Sequence, residues 1–288
     1  MIDQQTASKP RAAAGIPAPF LNPVSFPSAL AEFVHLSSLQ NFPKQIFEGK
    51  EPYSWHVFED FLTPEGFAEL HRSFPSLERF EKHEGLERGY GQRPHDRFYL
   101  AYEESAYHPA GYQGKGVIRR KELSPAWQQF LEELEDHPYQ NFIRSVFGAA
   151  AVKLRYAWHV STSASEVCPH LDDKTKVGLH NFYFNTAEDW EESWGGHTLV
   201  LGGLKRKTRS PDFSDFASVT AVPFLSNRSF FFINSPHAWH GVKSLVSPPG
   251  KYRRLFCMIF EVPENKKKNL LREFVRLFKG QKKYPGMR

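Results

Sequence analysis

Cysteine is nearly absent: 288 residues hold two, Cys168 and Cys257. That excludes a disulfide framework and makes a reducing compartment the expected setting, with a cytoplasmic location. Long apolar runs are missing as well. Runs of large apolar residues span only a few positions, such as 230–233, far short of the roughly 20 residues a membrane-crossing helix requires. The opening Met-Ile-Asp-Gln-Gln-Thr carries an acid where a secretory leader would carry basic residues, and no apolar segment follows it, so no leader is expected. No internal repeat is visible. Strong net charge is also lacking: the formal +5 arises because nine of the 37 basic and only one of the 32 acidic residues fall in 265–288. The remainder is slightly acidic, which argues against a nucleic-acid binder.

What the chain does have is aromatics, 15% of residues including 26 Phe, within a hydrophobic fraction of 40%. That is ample for a sheet-rich core. Four stretches are expected. Residues 1–28, rich in Ala, Pro and Ser, form a flexible arm. Residues 29–150 are helical and loop-rich and pack on the core. A short helix is expected over 29–39, a strand over 53–61, and helices after Thr63-Pro and Ser124-Pro, where the hydroxyl caps the first turn and Pro takes its first position. Residues 81–115 lack periodicity and read as a long loop that could act as a lid. From 151 to 263 the texture changes to short strands at 152–160, 177–185, 197–201, 219–224, 229–233 and 253–262, separated by Pro, Gly and Asn turns, the signature of a sandwich or jelly-roll barrel. In 264–288 a basic helix closes the chain, with Leu270, Leu271, Phe274, Leu277 and Phe278 on one face and Gly280 at its end. Lys266–Lys268 could meet an acidic partner, but a solvated helix face is the plainer reading. The fold class is mainly β with flanking helices.

The chemistry concentrates at Cys168-Pro-His-Leu-Asp172. In extended chain, His170 and Asp172 point to one side. A third ligand is available in His237-Ala-Trp-His240-Gly-Val, where His240 is preferred over His237. Two histidines and a carboxylate on one face leave three positions open, the arrangement of non-haem iron(II) oxygenases. Thirteen residues beyond His240, Arg253 opens a strand. A guanidinium inside a barrel needs a carboxylate, and a dicarboxylic cosubstrate would supply one. Arg254 is the rival; with Arg253 inward, Leu255, Cys257 and Ile259 follow it on the same face. His159 and His180 lie in strands and could approach the site or be structural. Arg93, His95 and Arg97 could line an entrance, Cys168 reads as a small rim residue, and Trp190 and Trp194 as loop packing.

With His170-x-Asp172, Phe182-Tyr-Phe-Asn185, Trp190, Trp194-Gly-Gly196, His237-x-x-His240-Gly-Val and Lys251-Tyr-Arg-Arg254, the stretch 150–262 resembles the iron(II)/2-oxoglutarate-dependent dioxygenases, in their prolyl-4-hydroxylase-like branch. Residues 53–75 are similar to that branch's strand-then-helix opening. The resemblance implies a double-stranded β-helix, cupin-like, with Fe(II) bound and 2-oxoglutarate and O2 as cosubstrates. The activity implied is hydroxylation of an unactivated C–H, with succinate and CO2 released. It implies His170, Asp172 and His240 as iron ligands, with no catalytic residue beyond them. Arg253 falls at the anchor of the 2-oxoglutarate C5 carboxylate, with Tyr183 beside it. Asp172 argues against the halogenating relatives, whose carboxylate is replaced to admit halide. One departure is His197, where the branch often has Glu after the Gly pair. The substrate could be an amino acid, a peptidyl residue or a small metabolite. A cupin-like metal- or ligand-binding scaffold without oxygenase activity is the alternative.

Overall fold

Two antiparallel sheets face each other, and helices cover the outer side of the larger one. The structure is a computed structural model that describes residues 33–86, 93–148, 152–208 and 210–262. The arm expected over 1–28 and the closing basic helix lie outside the described residues. In chain order the elements are α1 Leu36–Gln40, α2 Lys44–Glu48, β1 Trp55–Phe58, α3 Pro64–Arg72, β2 Glu81–His83, β3 Arg97–Tyr102, β4 Val117–Ile118, α4 Pro125–Glu135, α5 His137–Phe147, β5 Lys153–Ser161, β6 Val167–His170, β7 Lys176–Tyr183, β8 Thr198–Leu204, β9 Phe216–Val222, β10 Ser229–Ile233, β11 Trp239–Val242 and β12 Arg253–Glu261. The larger sheet runs β1-β10-β7-β12-β5-β3-β2, with β4 beside β3; the smaller runs β6-β11-β8-β9. This is a jelly-roll core with flanking helices, as the strand pattern and the resemblance led one to expect. No helix among the described residues is long and apolar enough to cross a membrane.

The central strands are covered on both faces, so their alternation separates two apolar layers rather than core from water. Along β12, Phe256, Met258 and Phe260 are buried against the helices, while Cys257 and Ile259 are buried between the sheets, with Leu255 packed beside them. Helices α4 and α5 place Trp127, Phe130, Leu131, Leu134, Tyr139, Phe142 and Ile143 in the outer layer. Trp127 lies 5.1 Å from Phe256 and 5.2 Å from Trp158, ring to ring. His180 belongs to this layer: its Nδ1 meets the Tyr139 hydroxyl at 3.0 Å and its Nε2 the Ser229 hydroxyl at 2.9 Å. With both nitrogens engaged and full burial, it is a structural histidine. The Thr63 and Ser124 caps are present, accepting from Gly66 N and Trp127 N.

Three expectations need correction. The region 81–115 is not one long loop: it contributes β2 and β3 to the larger sheet, with β3 paired to β5. Tyr99, Leu100 and Ala101 are buried on both faces of β3, which erases the alternation that marks a half-exposed strand. Of the helix expected over 29–39, residues 29–32 lie outside the described residues, Val34 forms a bridge to Leu62, and helix occupies only the short α1. The Glu133 carboxylate draws the amides of Phe33 and Val34, at 3.0 and 2.9 Å, so helix starts only beyond them. Finally, β6 and β11 went unread because each is only four residues long.

Candidate metal centre

Those two short strands carry the histidines. His170 ends β6, His240 is the second residue of β11, and the antiparallel ladder sets them directly opposite each other. Their rings lie 4.3 Å apart. Asp172 follows two residues after His170, and one ligand atom from each of the three lies within 4.8 Å of the others.

The hydrogen bonds determine which atoms face inward. Each imidazole donates from Nδ1 to the carbonyl two residues before it: His170 to Cys168 at 3.0 Å, His240 to Ala238 at 2.9 Å. That tautomer turns both Nε2 lone pairs toward the site, the outer-sphere arrangement that orients metal-ligating histidines. Lys176 Nζ holds Asp172 Oδ1 at 2.5 Å. The other oxygen, Oδ2, is buried without a hydrogen-bond partner, 3.5 Å from His240 Nε2. Two acceptors at that separation repel unless a cation lies between them. Burial alone would raise the Asp172 carboxyl, yet the charge around it, the Lys176 ammonium foremost, more than offsets this and holds it well below the usual carboxylate range. The three side chains therefore fit a divalent metal bound through one carboxylate oxygen and two imidazoles.

Gly241 allows the strands to come this close. A Cβ there would sit 2.6 Å from the Val167 carbonyl of β6 and 3.0 Å from Phe213. Gly241→Ala is expected to cost about 1–3 kcal/mol of stability, as overpacking does, and to weaken metal binding by parting β6 from β11. Thermal denaturation with and without Fe(II) checks this; an unchanged metal-induced shift in the variant would refute the second half.

Arg253, at the first position of β12, faces the same cavity and is 4% exposed. Its Nε donates to the Gly196 carbonyl at 2.7 Å and Nη2 to Thr198 Oγ1 at 3.4 Å. The guanidinium lies 5.3 Å from the Tyr183 ring and 5.6 Å from that of Phe224. Among the described residues no carboxylate pairs with it, and burial lowers its pKa. Gly196 explains part of the Gly pair: at φ +105 its missing Cβ would lie 3.2 Å from Arg253 Cδ. Tyr183 stands one layer back, its hydroxyl 2.7 Å from Thr198 Oγ1. Arg254 turns to the opposite side of the sheet, bonded to His71 and Asp189.

The cavity measures about 400 Å³, and His159 lines it as well. Of the remaining candidates, His237 does not line it, Arg93 pairs with Glu166 and Asp212, and Cys168 lies 3.3 Å from His95. Trp190 and Trp194 pack together, with Trp190 donating to the Gly195 carbonyl. His197 packs on Phe224. Sequence reasoning missed Thr198 and Lys176. Lys176 had one legible signal, a cation four residues after Asp172, but Lys174 stood nearer still in sequence.

No protein-family model matches the sequence, and no curated protein does. Solved structures do match. A prolyl 4-hydroxylase structure from Phytophthora capsici aligns with TM-score 0.50 and 11% identity, covering 84% of this chain and 75% of that one. The chain shares that structure's fold. A Pseudomonas putida prolyl-4-hydroxylase aligns with TM-score 0.47 and 13% identity over 75% of this chain and 97% of that one. HygX from Streptomyces hygroscopicus, solved with nickel, 2-oxoglutarate and hygromycin B bound, aligns with TM-score 0.47 and 11% identity, covering 74% and 84%. At 11% identity the likeness to the Phytophthora capsici structure establishes the fold, not the reaction.

Proposed function

We propose that this chain is an iron(II)/2-oxoglutarate-dependent oxygenase that hydroxylates an unactivated C–H bond, converting 2-oxoglutarate and O2 to succinate and CO2. One observation carries the reading: a single cavity holds the facial set His170, Asp172 and His240 together with Arg253, a buried cation that no described carboxylate neutralises. A dicarboxylate spanning the two features would satisfy both.

His170, Asp172 and His240 would hold Fe(II), which when bound supplies the redox chemistry of O2 activation. The protein's own part is positioning. Lys176 steadies one oxygen of Asp172 so that the other faces the metal. The carbonyls of Cys168 and Ala238 fix the two rings. Arg253 would grip the distal carboxylate of 2-oxoglutarate, assisted by Thr198, whose hydroxyl Tyr183 orients. The inner faces of Leu255, Cys257 and Ile259 keep that end dry. The substrate would be a small molecule or a peptidyl side chain.

Mixing the protein anaerobically with Fe(II) and 2-oxoglutarate should produce a visible metal-to-ligand charge-transfer band, and His170→Ala should remove it. A folded protein that shows no band is not a 2-oxoglutarate oxygenase. A band without succinate release with any substrate, or uncoupled, would leave the binding-scaffold alternative in its place.

A further inference from the structure

Four side chains that carry a fixed positive charge line the cavity: Arg97, Arg155, Lys176 and Arg253. Two are already neutralised, Lys176 by Asp172 and Arg155 by Glu261 at 2.8 Å. Arg253 and Arg97 have no described carboxylate partner. A bound 2-oxoglutarate has two carboxylates, one for the metal and one for Arg253, so Arg97 still lacks an anion.

Its surroundings are built for one. Arg97 and Tyr99 are two apart on β3 and so share a face, with the guanidinium 5.9 Å from the Tyr99 ring. Tyr107 takes one edge of the guanidinium through Nη2 at 3.1 Å, but Nε is buried and has no hydrogen-bond partner. The Tyr99 hydroxyl is likewise buried and unpartnered, in a side chain only 2% exposed. Two buried donors left unmade cost free energy that a suitable ligand would recover. Donors flanking an unneutralised cation suit a ligand group that only accepts and is negative, which describes a carboxylate. Cavity size restricts the rest. At about 400 Å³ it lies near the low end of ligand pockets (about 300–1,000 Å³) and must also admit the cosubstrate.

Resting on the oxygenase reading, we infer that the substrate is a small carboxylic acid whose carboxylate is held by Arg97 Nε and the Tyr99 hydroxyl, with its reacting carbon turned toward the metal.

The test uses the full chain with Fe(II) and 2-oxoglutarate and a panel of free amino acids and of C3–C10 monocarboxylic acids, each paired with its primary amide. Succinate formation and thermal stabilisation are both read. At least one acid should stimulate turnover, with its amide weaker by about 10- to 100-fold, the worth of a hydrogen bond to a charged group. Arg97→Gln should raise KM for that acid by a similar factor while leaving the 2-oxoglutarate charge-transfer titration unchanged. Tyr99→Phe, which deletes only the hydroxyl, should raise KM less. Three results would overturn the inference: equal response to acid and amide, no response to any acid while the charge-transfer band is intact, or Arg97→Gln weakening 2-oxoglutarate itself, which would make Arg97 part of the cosubstrate site. Absence of the band in the wild type would instead sink the oxygenase reading.

Discussion

Asp172→Ala should abolish succinate release and remove the stabilisation that Fe(II) confers on the wild type. The carboxylate is the sole anionic member of the proposed ligand set, and its buried Oδ2 is an atom with no hydrogen-bond partner. Loss of an outer-sphere partner of a metal ligand costs about 10–100-fold in affinity or activity; losing the ligand should exceed that. Lys176→Met, which removes only the outer partner, provides the internal scale and should fall within that range. The stability arm has a calculable size. A metal present at about 100 times its Kd stabilises a protein by about 2.7 kcal/mol, so the wild type should show a clear upward shift in Tm and Asp172→Ala none. Without metal the variant should lie close to the wild type, because two changes oppose each other. Lys176, still partly exposed, loses its partner, while the contact between Asp172 Oδ2 and the His240 nitrogen at 3.5 Å disappears. Turnover at the wild-type rate, or an undiminished Fe(II) shift, would mean the three residues do not form a metal centre.

The legible parts of this molecule were those written in short spacings. His170 and Asp172 could be paired because period two is a property of any extended chain, whether or not the strand itself is recognised. Arg253 could be chosen over Arg254 because the apolar residues after it alternate along a nine-residue strand. The strands holding the histidines were not legible: β6 and β11 have four residues each and gain their order from facing one another and β8, which is information held elsewhere in the chain. For β3 the obstacle was different. Covered on both faces and opened by Arg97, it shows neither alternation nor a continuous apolar run, and its polar members, Arg97 and Tyr99, are the ones that face the cavity. Thr198 shows the same limit at the level of one side chain. A threonine after Gly-Gly-His is unremarkable until the fold sets Arg253 and Tyr183 on either side of its hydroxyl. Local rules yielded the donor set, and tertiary pairing determined what surrounds it.

Arg253→Met should separate binding from folding. A buried unpaired guanidinium pays a desolvation penalty of several kcal/mol. Against this stand two hydrogen bonds, to the Gly196 carbonyl and Thr198, each worth about 1.5–3 kcal/mol when the donor is charged, and the aromatic contacts with Tyr183 and Phe224, worth about 0.5–2 kcal/mol. These nearly cancel, so in the absence of ligand the variant's stability should lie within about 2 kcal/mol of the wild type. Binding of 2-oxoglutarate has no such cancellation. On the proposed binding mode the cation gains its missing carboxylate there, and two charge-assisted hydrogen bonds of about 1.5–3 kcal/mol each correspond to a loss of about 10²–10⁴-fold in affinity. Arg253→Lys should fall between the two, since an ammonium keeps the charge but not the planar pair of donors. Denaturant unfolding measures the first quantity and anaerobic charge-transfer titration the second. If Arg253→Met unfolds the protein, the residue is primarily a structural tie between β12 and the Gly196 carbonyl. If it binds 2-oxoglutarate like the wild type, the cosubstrate lies elsewhere in the cavity, with Arg97 the next cation to examine.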